Sequence, residues 1–122
     1  ALQNARFVIV QDISSRSDTV AYADLVLPAA GWGEKVGTMT SSERRISYLN
    51  QFAEPPGEAR PDAEIIWAFA RKMGFGDAFP YKTVAEVYDE HVRLTQGTRI
   101  DMSGLSHDRL KTGGTFQWPV PT

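Results

Sequence analysis

Two short apolar runs with a polar segment between them constrain this chain more than any other feature. Phe7-Val8-Ile9-Val10 is an unbroken β-branched and aromatic stretch closed by Gln11-Asp12, and Leu25-Val26-Leu27 is a second one stopped by Pro28. Strict alternation would leave one face to water, whereas unalternating runs fit strands covered on both faces of a parallel sheet. Parallel neighbours need a crossover of about a dozen residues, and Gln11 to Asp24 supplies it. Within it, Ser14 to Asp18 reads as a polar turn, and Ser17 or Asp18 can cap a short helix over Thr19 to Ala23. The expected opening is an α/β unit of strand, helix and strand.

Beyond Pro28 the pattern loosens. Gly31, Gly33 and Gly37 punctuate a loop holding Trp32, Glu34 and Lys35, with the backbone freedom that a ligand-approaching loop needs and that flexible loops also have. Thr38-Met39-Thr40 and Ile46 to Phe52 read as short extended segments around Glu43-Arg44-Arg45, ended by Pro55-Pro56-Gly57. Asp62 then caps a helix whose inner face is Ile65, Ile66, Ala68, Phe69 and Met73, with Arg71-Lys72 in its last turn and Gly74 as terminator. Thr83 and Glu86 form a capping-box pattern for a second helix to about Leu94, with Val84, Val87, Tyr88 and His91 inward. From Thr95 to Thr122 the expectation is mostly loop packed against a neighbour outside the chain, with Ser106 capping one helical turn.

Composition narrows the function classes. At 122 residues the chain has the length of one ordinary domain, too short for a large redox enzyme. A net charge of -2 gives no electrostatic reason to expect nucleic acid or acidic lipid, and no apolar run approaches the ~20 residues of a membrane span. The absence of cysteine removes disulfides, thiolate zinc sites, iron–sulfur ligation and cysteine nucleophiles. His91 and His107 lack the spacing of a metal site, so His91 reads as a core-edge residue and His107 as a surface residue near a helix start. The nucleophile elbow Gly-x-Ser-x-Gly is missing. The Gly31/Gly33/Gly37 spacing is not the dinucleotide fingerprint, because it follows a proline and opens no helix.

Four residues remain as binding candidates. Gln11 and Asp12 stand at the carboxyl end of the first strand, where open α/β sheets place ligands. An aspartate there accepts from a ribose diol or a guanine edge, or it caps the next turn with no ligand at all. Lys35 can neutralise a phosphate as a point charge, or stay an exposed surface lysine. Asp62 is first of all a helix N-cap. Glu43, Arg44 and Arg45 suit ion pairs or subunit contacts better than catalysis.

Read in order, Phe7-Val-Ile-Val-Gln-Asp12, Ala23-Asp24-Leu25-Val26-Leu27-Pro28-Ala29-Ala30, Trp32-Gly33-Glu34-Lys35-Val36-Gly37-Thr38, Ser42-Glu43-Arg44-Arg45 and Pro56-Gly57-Glu58-Ala59-Arg60-Pro61-Asp62 resemble the molybdopterin oxidoreductases of the dimethyl sulfoxide reductase superfamily. These motifs cover residues 7 to about 74, just over half the chain. Met73 to Gly76, Glu90 to Thr95, Ser103 to Ser106 and Gln117-Trp118-Pro119-Val120 look most like assimilatory nitrate reductases, and formate dehydrogenases share the framework. The turn from Asp12 to Asp24 departs from the family pattern, being a residue longer and carrying Ser14-Ser15-Arg16-Ser17 in place of an aromatic and a threonine.

The resemblance implies a strand–helix–strand unit of a Rossmann-like dinucleotide-cradling domain, followed by an irregular β segment and two helices, as a fragment of a multidomain enzyme. Residues 1–74 would be the cofactor-cradle segment and 75–122 a helix plus loop-rich extension packing on the parent. It implies a bis-molybdopterin guanine dinucleotide with molybdenum in the parent, and a 4Fe-4S cluster not ligated by this chain. It makes Gln11, Asp12, Lys35 and Asp62 cofactor contacts, with no catalytic residue and no metal ligand present here. Implied partners are the remaining domains of the parent and an electron donor, in the cytoplasm, with nitrate reduction as the reaction. The alternatives are formate as substrate, or a stand-alone α/β interaction module without catalysis. The isolated chain is expected to be inactive and to associate with itself through exposed apolar surface, Trp32 or Trp118 included.

Overall fold

A computed structural model describes all residues, Ala1–Thr122, and shows a mixed α/β chain that divides into two compact units. The first unit holds Ala1–Lys35 and Phe52–Phe79, and the second holds Val36–Gln51 and Pro80–Thr122. The packing units therefore interleave along the chain, whereas the expected division at residue 74 follows chain order.

In the first unit, strands β1 (Ile9–Asp12) and β2 (Leu25–Pro28) pair in parallel from Ile9↔Leu25 to Asp12↔Pro28. The crossover contains a single 3-10 turn, Asp18–Tyr22, in place of the α-helix expected over Thr19 to Ala23. Asp24 anchors its return, because its carboxylate accepts from the Val8 amide at 2.7 Å while its own amide donates to the Val8 carbonyl at 2.9 Å. The backbone continues past β2 into an isolated parallel bridge, Ala29↔Arg60, closed by the Ala30 amide on the Arg60 carbonyl at 2.8 Å. Arg60 is thereby held beside the strand end, and Pro61 starts helix α1 (Asp62–Lys72) there. Proline suits a helix start because its missing N–H would be unpaired in any case.

Two expectations for this unit are corrected. The strands are not covered on both faces: Val8 and Val10 are buried, while Phe7, Ile9, Leu25 and Val26 are exposed. In α1 the buried residues are Trp67 and Ala70, and Ile66, Phe69 and Met73 of the expected inner face lie in solvent. The helix is apolar almost all round from Ile65 to Ala70, so periodicity could not choose the face. Gly74 does terminate it, with a φ of 88° that a side chain would resist.

The second unit is built on a three-stranded antiparallel sheet. Strands β3 (Gly37–Thr40) and β4 (Arg45–Leu49) form a hairpin, and the late strand β5 (Phe116–Gln117) pairs with β4 through Arg45↔Gln117 and Ile46↔Phe116. Helix α2 (Val84–Thr95) begins with the expected capping box, the Thr83 side chain accepting from the Glu86 amide. Helix α3 (His107–Gly113) starts at Ser106, whose hydroxyl accepts from the Arg109 amide at 3.1 Å.

The core of this unit is Ile46, Tyr88, Val92, Met102, Leu105 and Leu110, with Tyr48, Phe116, Trp118 and Val120 packed on it. Residues 95–122 are mostly loop, as expected, apart from α3 and β5, and they furnish half of this core themselves. Thr95 ties the stretch down: its hydroxyl donates to the Val92 carbonyl at 2.7 Å and accepts from the Met102 amide at 2.9 Å. His91 is exposed, not core-edge. His107 is half-buried, not a surface residue, its ring 5.3 Å from those of both Tyr48 and Tyr88. No helix of the chain is long and apolar enough to cross a membrane.

Candidate functional site

Three of the four candidate side chains meet in the first unit, each carried there by a different element. Gln11 comes from the carboxyl half of β1, Lys35 from the residue after a 3-10 turn over Trp32–Glu34, and Asp62 from the first position of α1. The Asp62 carboxylate joins them. One oxygen accepts from the Gln11 amide nitrogen at 2.7 Å, and the other forms an ion pair with the Lys35 ammonium. Lys35 donates in addition to the Ala30 carbonyl at 2.9 Å. The Lys35 side chain is 22% exposed and that of Asp62 47%, so the cluster opens to solvent from its carboxylate side.

Asp62 is not the N-cap that the sequence suggested. Pro61 occupies the cap, without a side-chain hydrogen bond, and the Asp62 carboxylate turns across to β1 and Lys35. Burial alone would raise the pKa of this carboxyl group. The hydrogen bonds from Lys35 and Gln11 and the Lys35 charge outweigh that effect, so the pKa falls below the ordinary aspartate value and the group is anionic at neutral pH. Asp12 stays apart from the cluster: its side chain accepts from the Ser14 amide at 2.9 Å, turning the chain at the end of β1.

The turn before Lys35 is pinned at several points. The Glu34 carboxylate accepts from the Gly31 amide at 2.7 Å, and the Gly33 carbonyl accepts from the Phe52 and Ala53 amides at 2.9 and 3.0 Å. The Phe52 ring lies over Gly33, where a Cβ would sit 2.2 Å from it, and because that ring is exposed it could swing aside to admit one. Trp32 projects from the same turn, 66% exposed, with the Lys35 ammonium 5.8 Å from its ring centroid. The sequence marks Trp32 as an exposed apolar residue for self-association and not as part of this site. The usable signal was its spacing, three residues before Lys35 on one tight turn. Gln11 also borders an apolar groove of about 290 Å³ that is lined by Ile9, Leu27, Ile65, Ile66 and Phe69.

Glu43, Arg44 and Arg45 do not join this site. Glu43 and Arg44 lie in the β3–β4 turn of the second unit and Arg45 opens β4; Arg44 has a φ of 64° and its guanidinium lies 5.5 Å from the Trp118 ring. The turn is held from β5 by the Trp118 amide on the Arg44 carbonyl at 3.0 Å and by the Gln117 side chain on the Glu43 carbonyl at 2.9 Å. No three acidic, histidine or cysteine side chains gather as a metal site. A convergence of carboxylate, carboxamide and ammonium at a strand's carboxyl end can bind a polar, anionic ligand, and it contains no nucleophile paired with a base.

Residues 1–72 match the family described as Molybdopterin oxidoreductase. The chain is 48% identical over 119 residues to a nitrate reductase of Synechocystis sp., covering 98% of this chain and 17% of that protein. It is 42% identical over 119 residues to the alpha subunit of an F420-dependent formate dehydrogenase of Methanocaldococcus jannaschii, with the same two coverages. Among solved structures it is similar to acetylene hydratase from Pelobacter acetylenicus, with a TM-score of 0.72 and 24% identity over 98% of this chain and 15% of that one. That last likeness is one of fold. The chain thus spans about a sixth of the length of the curated relatives it matches.

Proposed function

Because this chain belongs to the molybdopterin oxidoreductase family, we propose that it is part of a molybdenum-dependent nitrate reductase and helps bind one molybdopterin guanine dinucleotide. The observation that carries this reading is the convergence of Gln11, Lys35 and Asp62 at the carboxyl end of β1. Their donor set fits a nucleotide-bearing group. A carboxylate offers roughly four lone-pair sites, and Gln11 and Lys35 each engage one oxygen of Asp62. Acceptor capacity therefore remains for the N–H groups of a guanine edge or the hydroxyls of a ribose. The Lys35 ammonium has three N–H groups; the Ala30 carbonyl and Asp62 engage two, leaving one for a phosphate oxygen. Asp12 stands one residue beyond Gln11 and completes the cofactor-contacting set in this proposal.

When bound, the molybdenum–pterin group supplies the two-electron oxygen-atom transfer that turns nitrate, two protons and two electrons into nitrite and water. The residues of this chain bind and orient that group and take no proton from substrate. Residues 1–74 act as the cradle segment and 75–122 as an extension within a larger cytoplasmic enzyme, whose other domains carry the 4Fe-4S cluster and meet the electron donor. A second reading, formate dehydrogenase of the same superfamily, draws on the relative at 42% identity over the same 98% of the chain.

Turnover separates the two. The full-length parent is expected to reduce nitrate with a reduced viologen dye and not to oxidise formate, and the reverse result would move the assignment to formate. The 122-residue chain alone is expected to turn over neither. GMP released on acid hydrolysis of the parent reads cofactor loading directly, and Lys35→Ala is expected to lower it. Wild-type GMP content in that variant, with Asp62→Ala unchanged as well, would remove these residues from the cradle.

A further inference from the structure

Trp32 presents a large aromatic face to solvent from a turn whose backbone is held in place. It is 66% exposed, yet its backbone is held by the Gly31–Glu34 hydrogen bond and by the Phe52 and Ala53 amides on the Gly33 carbonyl. Its neighbour across the turn is the Lys35 ammonium, 5.8 Å from the ring centroid, and that ammonium is fixed in turn by Ala30 and Asp62. A tethered cation beside an exposed indole on a braced turn is a pairing that can recognise a planar heteroaromatic ring joined to a phosphate. The cation meets the anion, and the indole face meets the ring. We propose that Trp32 is a stacking platform for the purine ring of the nucleotide whose phosphate Lys35 meets, a role that rests on the nucleotide-binding reading above and adds a residue to it.

Lys35 is the group common to both halves of this arrangement, which is what selects a nucleotide over an apolar protein surface as the occupant of the indole face. A purely apolar partner would strip water from a half-exposed ion pair at its edge and offer its remaining N–H and lone-pair sites no polar partner in return. A nucleotide brings its own negative charge to the ammonium and its own donors to the Asp62 carboxylate.

The test is a titration of the full 122-residue chain with GDP, and in parallel with inorganic pyrophosphate, followed by calorimetry and by tryptophan emission. Trp32→Ala and Trp32→Phe serve as variants, with circular dichroism as the folding control; the ring is exposed, so its loss leaves the core intact. The expected result is that GDP quenches an emission component absent from Trp32→Ala, while pyrophosphate binds without quenching. Trp32→Ala should lose about tenfold in GDP affinity, the scale of one base stacked on an aromatic ring, and Trp32→Phe should recover most of it. Equal GDP affinity in wild type and Trp32→Ala, without quenching, overturns the stacking role and leaves the nucleotide reading intact. No binding of GDP or pyrophosphate at millimolar concentration overturns both. An emission component that changes with chain concentration alone, and not with GDP, assigns the ring to a contact between copies and overturns the proposal.

Discussion

Asp62 shows how much of a site can depend on where one carboxylate turns. At the first position of α1 it could have served the helix, and its place in the sequence suggested as much. It is instead the acceptor shared by Gln11 and Lys35. Replacing it with asparagine removes the charge and keeps the shape, so Lys35 loses its counter-ion. GDP affinity is then expected to fall by about tenfold, the scale of one charge-assisted hydrogen bond. A double-mutant cycle with Lys35→Ala, read by calorimetry, should be non-additive because the two side chains share one contact; strict additivity would show that they act apart. His107 carries a second residue-scale prediction. Burial against Tyr48 and Tyr88 lowers its pKa below the ordinary histidine value of 6.5, against the opposing pull of Asp89 and Asp108. The unfolded chain then binds the proton more readily than the folded one, so stability is full above 6.5 and falls as the pH drops through the lowered value. Urea midpoints should decline in mildly acid buffer, and His107→Phe should flatten that decline; an unchanged slope would clear His107 of the effect. Gln11 and Lys35 were legible as candidates because strand ends and glycine turns mark themselves. Their meeting with a residue 51 positions beyond Gln11 was not legible, because no local pattern encodes it.

Among the elements, α2 was the easiest to read and α1 the hardest to orient. The start of α2 is a local contract between Thr83 and Glu86, three residues apart, and it forms as the sequence indicates. Thr83→Ala should cost about 1 kcal/mol in chemical denaturation, the usual loss for an N-cap, without altering the rest of the helix. In α1 the inward residues are Trp67 and Ala70, and the choice between them and the Ile66–Phe69–Met73 stripe is made outside the helix, by the packing around it and not by its own periodicity. Helix α3 is short, and its weight comes from Leu110, 1% exposed in the core. Leu110→Ala is expected to destabilise the chain by about 2–5 kcal/mol, the range for emptying a core leucine site. A much smaller loss would mean that α3 is dispensable to that core. Residues 95–122 read as mostly loop because glycines recur at 97, 104, 113 and 114 and no long periodic run appears; their tertiary partners, Ile46 above all, give them a core to join.

For the molecule as a whole, the contrast between the two units matters most. The second unit gathers a contiguous core, while the first leaves Phe7, Ile9, Leu25, Ile66, Phe69 and Met73 in solvent. An exposed apolar surface of that kind favours association. Sedimentation of the isolated chain should show mass rising with concentration, and Phe69→Glu on the α1 stripe should suppress the rise. A strictly monomeric wild-type chain would show that this surface tolerates water. Trp118, expected among the exposed anchors, packs instead on the second core beneath Arg44 and takes no part in this prediction.

By itself, the sequence determined the features written over a few neighbouring residues: the parallel strand pair with its crossover, the capping box of α2, the glycine stop of α1, and the ordered motifs by which the family is known. Periodicity, capping and turn chemistry act over one or two turns of chain, so they can be read in the order in which they are written. Tertiary structure alone decided which face of α1 is buried, that β5 closes the β3–β4 hairpin from seventy residues away, and that Asp62 holds Gln11 and Lys35 together. Each of these depends on two or more distant segments competing for the same buried surface or the same charge, and the winner is set by packing and electrostatics in three dimensions.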